Sequence, residues 1–229
     1  MLLGIPIVAV LQIIMIDIVL SGDNAVVIAM AARALPGDQQ KKVIFWGGAA
    51  AIGLRIVVTA LVAYLLHIPL LQLGGGIALL YIAVKLLKGG DEHGANVKAG
   101  NSTLDAIMTI VLADLVMSLD NMLAVGGASH GNMLLLLMGL VVSMGIIMFC
   151  SQYIAKLMNK WNWLVYVGAG ILAYTAAEMI MKDNWLHKVF TPSHTVDVAF
   201  RVVAVVAVLG SGYLMSRKSE EAAEAPDAH

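Results

Sequence analysis

Two clusters of oxygen-bearing side chains interrupt otherwise apolar sequence: Asp17, Ser21, Asp23 and Asn24, then Asp114, Ser118, Asp120 and Asn121. Carboxylate, amide and hydroxyl oxygens, with no cysteine or histidine in either cluster, form the donor set of a hard cation. They suit Mn²⁺, Mg²⁺ or Ca²⁺ and disfavour Zn²⁺ or Cu⁺. Met15, Met117 and Met122 lie beside the acids, where a thioether ligand would bias a site toward Mn²⁺ or Fe²⁺. Methionine is also ordinary packing filler, and the chain has 14 of them. No nucleophile paired with a base, and no cofactor motif, accompanies the clusters, so an enzyme is not expected.

The elements that carry these residues are membrane helices. The chain of 229 residues is 60% hydrophobic and 13% charged, about half the charge of an ordinary soluble domain, and its mean hydropathy is +0.88. Seven apolar segments stand out, at about 5–32, 43–66, 69–88, 104–128, 132–155, 162–181 and 196–215. Each is long enough to cross about 30 Å of hydrocarbon as a helix and too long for a membrane strand. Breakers separate them at Pro36-Gly37, Pro69, Gly89-Gly90, Gly131-Asn132 and Pro192. The expectation is an all-α membrane protein forming one polytopic domain over 1–218, followed by a disordered, Ala/Glu-rich cytoplasmic tail over 219–229. The N-terminus has no basic region and its apolar stretch runs too far for a cleavable signal peptide, so it is expected to be a permanent span.

The clusters read Asp-x-x-x-Ser-x-Asp-Asn in both places, at a constant offset of 97 residues. Three spans separate equivalent positions, so the copies would cross the membrane in opposite directions. That is the mark of an inverted-topology repeat. Repeat one covers about 5–88, repeat two about 104–181, and the helix at about 196–215 is extra. Tyr81-x-x-x-Lys85 and Tyr174-x-x-x-Glu178 form a weaker echo. Ten lysines and arginines fall at the ends that an N-out, C-in topology places in the cytoplasm, against Lys182, Lys188 and Arg201 outside.

A charge at mid-bilayer costs roughly 2.5–3.5 kcal/mol, so four lipid-facing aspartates would cost about 10 kcal/mol. They must face the bundle interior, where they are protonated, paired or bound to a cation. Arg55, within the second span, can pair with one aspartate, and Lys85 or Lys182 with Glu178, which leaves an excess of buried acid. On a helix turning about 100° per residue, Asp17, Ser21 and Asn24 share a face and Asp23 points elsewhere. A break near Ser21-Gly22 would bring Asp23 inward and free backbone carbonyls. Leu119 replaces that glycine in the second copy.

The remaining polar features are expected to be bland. The net charge of −1 offers no basic stripe for nucleic acid. Cys150, the only cysteine, precludes an intramolecular disulfide and has no charged neighbour to activate it. His93, with Asp91 and Glu92, is read as part of a solvated loop, and His67 and His130 as interfacial caps.

On Asp17-x-x-x-Ser21-Gly-Asp23-Asn24-Ala-Val-Val-Ile-Ala and Asp114-Leu-Val-x-Ser118-Leu-Asp120-Asn121-x-Leu-Ala-Val-Gly-Gly-Ala, the sequence resembles the TerC family of bacterial membrane proteins, most closely its YjbE-like branch. The resemblance covers all seven predicted spans. It implies a seven-helix inverted-repeat protein of the bacterial cytoplasmic membrane, related to lysine-exporter-type transporters. It also implies export of divalent metal, chiefly Mn²⁺, and an association with tellurite resistance. The implied metal residues are Asp17, Asp23, Asn24, Asp114, Asp120 and Asn121.

The leading expectation is a Mn²⁺ exporter that exchanges metal for protons, with the lipid bilayer, a divalent metal and protons as partners and no prosthetic group. A homo-oligomer is compatible with it. The alternatives are a membrane protein that binds metal without turning over, and an exporter of cationic organic solutes.

Overall fold

The structure is a computed structural model that describes residues 7–65, 68, 70–88, 99–128, 132–189 and 193–224. Among these there is no β-strand. The helices are α1 (Ile7–Leu20), α2 (Gly22–Arg33), α3 (Gly37–Leu65), α4 (Leu71–Lys88), α5 (Ala99–Ala128), α6 (Met133–Lys160), α7 (Trp163–Lys182), the short α8 (Asn184–Val189) and α9 (His194–Glu224). Helices are required here because lipid supplies no partner for a free backbone N–H or C=O.

Among the described residues, α3, α4, α6, α7 and α9 are each long and apolar enough to cross a membrane, and α1 with α2 makes a sixth candidate span if the bent pair is one. The expected fourth span coincides with α5, a helix of 30 residues whose side chains are described in part. The tail expected to be disordered from Ser219 is helical as far as Glu224, where α9 ends, and 225–229 lie outside the described residues. The Ser-Glu-Glu-Ala-Ala-Glu end of α9 is rich in alanine and glutamate, both strong helix formers.

The first span is broken at Ser21, where α1 and α2 meet at 56°. Ser21 has φ −110° and ψ 16°, and its hydroxyl does not cap α2. It donates instead to Asp17 Oδ1 at 3.2 Å. Gly22 opens α2, and a Cβ there would meet nothing within 4 Å. The break therefore owes nothing to crowding at Gly22; the poor helix propensity of glycine and the diverted Ser21 side chain account for it. The equivalent stretch of α5 runs unbroken through Leu119.

Many large apolar side chains lie on the outside, among them Val19, Phe149, Trp163, Val203 and Val206, while the interior combines buried Ile28, Ile44, Leu79 and Leu172 with small and polar side chains. The buried face of α7 is built from Gly168, Ala169, Ala173, Ala176 and Ala177, and α7 packs against α4, α9 and α2. Small residues let membrane helices approach closely enough for dispersion contacts to hold them. At Gly76 of α4 a Cβ would stand 2.6 Å from the Ala176 carbonyl oxygen, whereas at Gly74 it would meet nothing. Gly76→Ala is therefore expected to cost about 1–3 kcal/mol by overpacking, while Gly74→Ala is neutral or slightly stabilising. Thermal unfolding of both variants in detergent checks the contrast.

The remaining long contacts fall into matched sets. α3 packs on α5, and α1 and α2 pack on α6; α4 touches α5, and α7 touches α2. Along α3 and α5 the contacts advance together, from Gln39–Thr103 through Gly47–Ile110 to Arg55–Asp114. Along α1 and α6 they also advance together, from Ile13–Gly139 to Asp17–Ser143. Between the first span and α5 they run in opposition, with Leu20 beside Asn121 and Asn24 beside Asp114.

Candidate cation site

Asp17 of α1 and Asp114 of α5 meet across the bundle on one guanidinium. Arg55 of α3 donates from Nη1 to Asp17 Oδ1 at 3.0 Å, and from Nη2 and Nε to the two oxygens of Asp114 at 2.5 and 3.3 Å. All three side chains are no more than 3% exposed. Arg55 was expected to pair with one aspartate, and it bridges two. The planar fork of arginine allows this, since it can engage one carboxylate with two donors and keep a third for another.

Other donors complete the carboxylates. Ser143 of α6 donates to Asp17 Oδ2 at 2.5 Å, and Ser21 adds its bond to Oδ1. Asn24 of α2 donates from Nδ2 to Asp114 Oδ1 at 2.8 Å. Two acids and one base leave the trio at a formal charge of −1, spread over hydroxyl and amide donors.

Asp23 turns to a different partner. Its Oδ2 accepts from the Thr175 hydroxyl of α7 at 3.2 Å. Among the described residues, no donor reaches its Oδ1 or the Oδ1 of Asn24, both of which are buried. An unpaired buried acceptor forfeits its hydration for nothing, at a cost of about 1–3 kcal/mol, more when charged. Both orphans lie in the first turn of α2, where the break at Ser21 brings them into the protein.

A narrow cleft opens beside the trio, lined by Asp17, Arg55, Thr59, Ser118, Asn121, Met122 and Leu140. It has room for about one water. Thr59 and Ser118 have committed their hydroxyl protons to the carbonyls of Arg55 and Leu115, so their oxygens keep lone pairs to offer. Asn121 donates to the Leu20 carbonyl at 3.0 Å, one of those that the helix break releases.

Of the six residues expected to hold metal, Asp17, Asn24 and Asp114 are therefore joined in one network, Asp23, next to Asn24 in the chain, is bonded to Thr175 instead, and Asn121 lines the cleft. Asp120 belongs to α5, and its side chain lies outside the described residues. Among the described residues, no three His, Cys, Asp or Glu side chains gather closely enough to hold a metal ion. Met15 points outward and is exposed, Met117 is in the core and Met122 borders the cleft. His67, His93 and His130 fall outside the described residues.

Sequence reasoning missed Ser143 and Thr175. Each is a hydroxyl inside an apolar helix, a signal that many satisfied serines and threonines share. Of the two partners expected for Glu178, Lys85 and Lys182, the structure gives Lys182. Lys85 pairs with Asp105 at 2.7 Å, while Glu178 pairs with Lys182 at 2.6 Å and Arg201 at 3.2 Å.

Known proteins agree with this picture at the level of family. The chain is 45% identical to the "Uncharacterized membrane protein YjbE" of Bacillus subtilis, over 88% of this chain and 92% of that one. It is 26% identical to "Uncharacterized membrane protein YkoY" of the same organism, over 90% and 72%. It is 24% identical to the "UPF0053 inner membrane protein YgdQ" of Escherichia coli K12, over 76% and 80%. No solved structure matches. The family described as "Integral membrane protein TerC family" matches residues 4–220, nearly the whole chain. This chain is a multi-pass integral membrane protein and belongs to the TerC family.

Proposed function

We propose that the protein exports a divalent metal ion, Mn²⁺ first, across the bacterial cytoplasmic membrane in exchange for protons. The observation that carries this is the pair of orphaned oxygens on Asp23 and Asn24, set beside a buried trio with excess negative charge. A hard cation is the partner that answers oxygen acceptors lacking donors. A hydrogen-bonded structural network would have no reason to leave them bare. Asp17, Asp114, Asp120 and Asn121 are the remaining ligands in this proposal.

The proposed topology is seven spans, N-out and C-in, built as a 3+3 inverted repeat with α9 extra, and related to lysine-exporter-type transporters. The matched contact sets support it. Exchanging the first span with α5, α3 with α6 and α4 with α7 carries the α3–α5 contact onto that of the first span with α6, and the α4–α5 contact onto that of α7 with α2. The opposed register of the first span against α5 is what antiparallel copies require.

Proton exchange follows from charge. An empty site of several carboxylates in a low dielectric favours proton uptake, because like charges raise one another's affinity for protons. Metal binding would displace those protons. A second reading, a static network without turnover, is favoured by Arg55 already filling the gap between Asp17 and Asp114.

Proteoliposomes decide between them. Loaded with Mn²⁺ and given an acidic exterior, they are expected to release metal against a coupled inward proton flux, and to slow when the gradient is collapsed. Metal that binds but never crosses would establish the static network. Crossing without proton movement would leave a uniporter.

A further inference from the structure

Arg55 stands between two halves of the proposed pathway. On the side of the α5 N-terminus are the orphaned oxygens of Asp23 and Asn24, with Asn24 bonded to Asp114. On the side of its C-terminus is the cleft, since Thr59 lies one turn beyond Arg55 on α3, and Ser118, Asn121 and Met122 lie one to two turns beyond Asp114 on α5. Because α3 and α5 run in the same direction, these turns continue the pathway on one side. The gap between the two sides is closed by the guanidinium on Asp17 and Asp114.

The two carboxylates are served by different groups. In one half α3 brings Arg55 to Asp114; in the other α6 brings Ser143, a neutral hydroxyl, to Asp17. A single cation, supplied by one half, does something a second serine would not: it occupies the position between two carboxylates that a metal in transit would take.

We propose that Arg55 is a tethered competitor for the transported metal, holding Asp17 and Asp114 together when the site is empty and yielding at least one of them for a divalent ion to pass. The inference rests on the metal-transport function above. Among the described residues, Arg55 bonds the two carboxylates at 2.5–3.3 Å and otherwise reaches only the Ser21 hydroxyl, at 3.5 Å. The cleft beside it offers the free lone pairs of Thr59 and Ser118 to a displaced guanidinium. A resident cation also excludes monovalent ions, which cannot outbid a guanidinium engaged by three N–H groups, and so it favours divalent cargo.

A competitor and a structural brace make opposite predictions when removed. Loss of a brace weakens metal binding, and loss of a competitor strengthens it. The test is Mn²⁺ titration of the full chain in detergent, followed by the free-Mn²⁺ electron paramagnetic resonance signal, on wild type, Arg55→Lys and Arg55→Gln. Lysine keeps the buried positive charge, and with it the fold, but loses the fork. The expected order is tightest binding for Arg55→Gln, at least tenfold tighter than wild type, with Arg55→Lys between. Both variants should also show slower Mn²⁺ flux in proteoliposomes, because a tightly held ion leaves slowly. Affinity that is unchanged or weaker in a folded Arg55→Lys overturns the competitor role and leaves the transport function standing. Absence of saturable binding in all three forms overturns both.

Discussion

Arg55→Met is expected to destabilise the protein by about 3–5 kcal/mol, the usual cost of stripping one partner from a buried ion pair. The size follows from charge. With Arg55 present, Asp17 and Asp114 carry a net −1; without it, two adjacent carboxylates are buried at −2, and only Ser21, Ser143 and Asn24 are left to donate. Asp114→Asn should cost less, because it leaves Arg55 and Asp17 as a balanced pair. Combining Arg55→Met with Asp114→Asn should recover part of the loss, since the double variant returns the trio to −1. The check is a double-mutant cycle measured by reversible unfolding in detergent. Additive losses in the double variant would show that the trio is not coupled through charge.

Asp23→Ala is expected to reduce Mn²⁺ efflux by a hundredfold or more while changing stability by no more than about 1 kcal/mol. Asp23 makes one side-chain bond, to Thr175, and leaves its other oxygen without a donor. Its removal therefore gives up little and relieves an unpaired buried acceptor. Insertion should also become easier, since one charge leaves a membrane helix. Asp120→Ala, at the matching position of α5, should behave alike. Cells that depend on either variant should accumulate Mn²⁺ and grow poorly in it, with the protein present in the membrane at wild-type levels. Growth and metal content equal to wild type would remove Asp23 and Asp120 from the transport path.

Much of the helical organisation was legible in the linear sequence, because its causes are local or compositional. Apolar runs of about 20 residues must become helices in lipid, and Pro36, Gly89-Gly90 and Pro192 punctuate them. The break in the first span was readable at Ser21-Gly22, where a serine with a nearby acid precedes a glycine. Leu119 at the corresponding place kept α5 whole, as a good helix former should. That Asp17 and Asp114 would point inward was likewise dictated by the cost of facing lipid.

What those aspartates meet inside was left to the tertiary structure. Arg55 is 38 residues from Asp17 and 59 from Asp114, and no periodicity in α3 says that one guanidinium lies between α1 and α5. Ser143 and Thr175 gained their roles in the same way, as hydroxyls that α6 and α7 carry to Asp17 and Asp23. Lys85 pairs with Asp105 of α5, while Glu178 is engaged by Lys182 and Arg201. Composition sets how much charge must be buried, since the penalty attaches to each residue. The partner of each charge depends on which helices cross at its depth, and that is decided by the close packing of small residues such as Gly76 on Ala176.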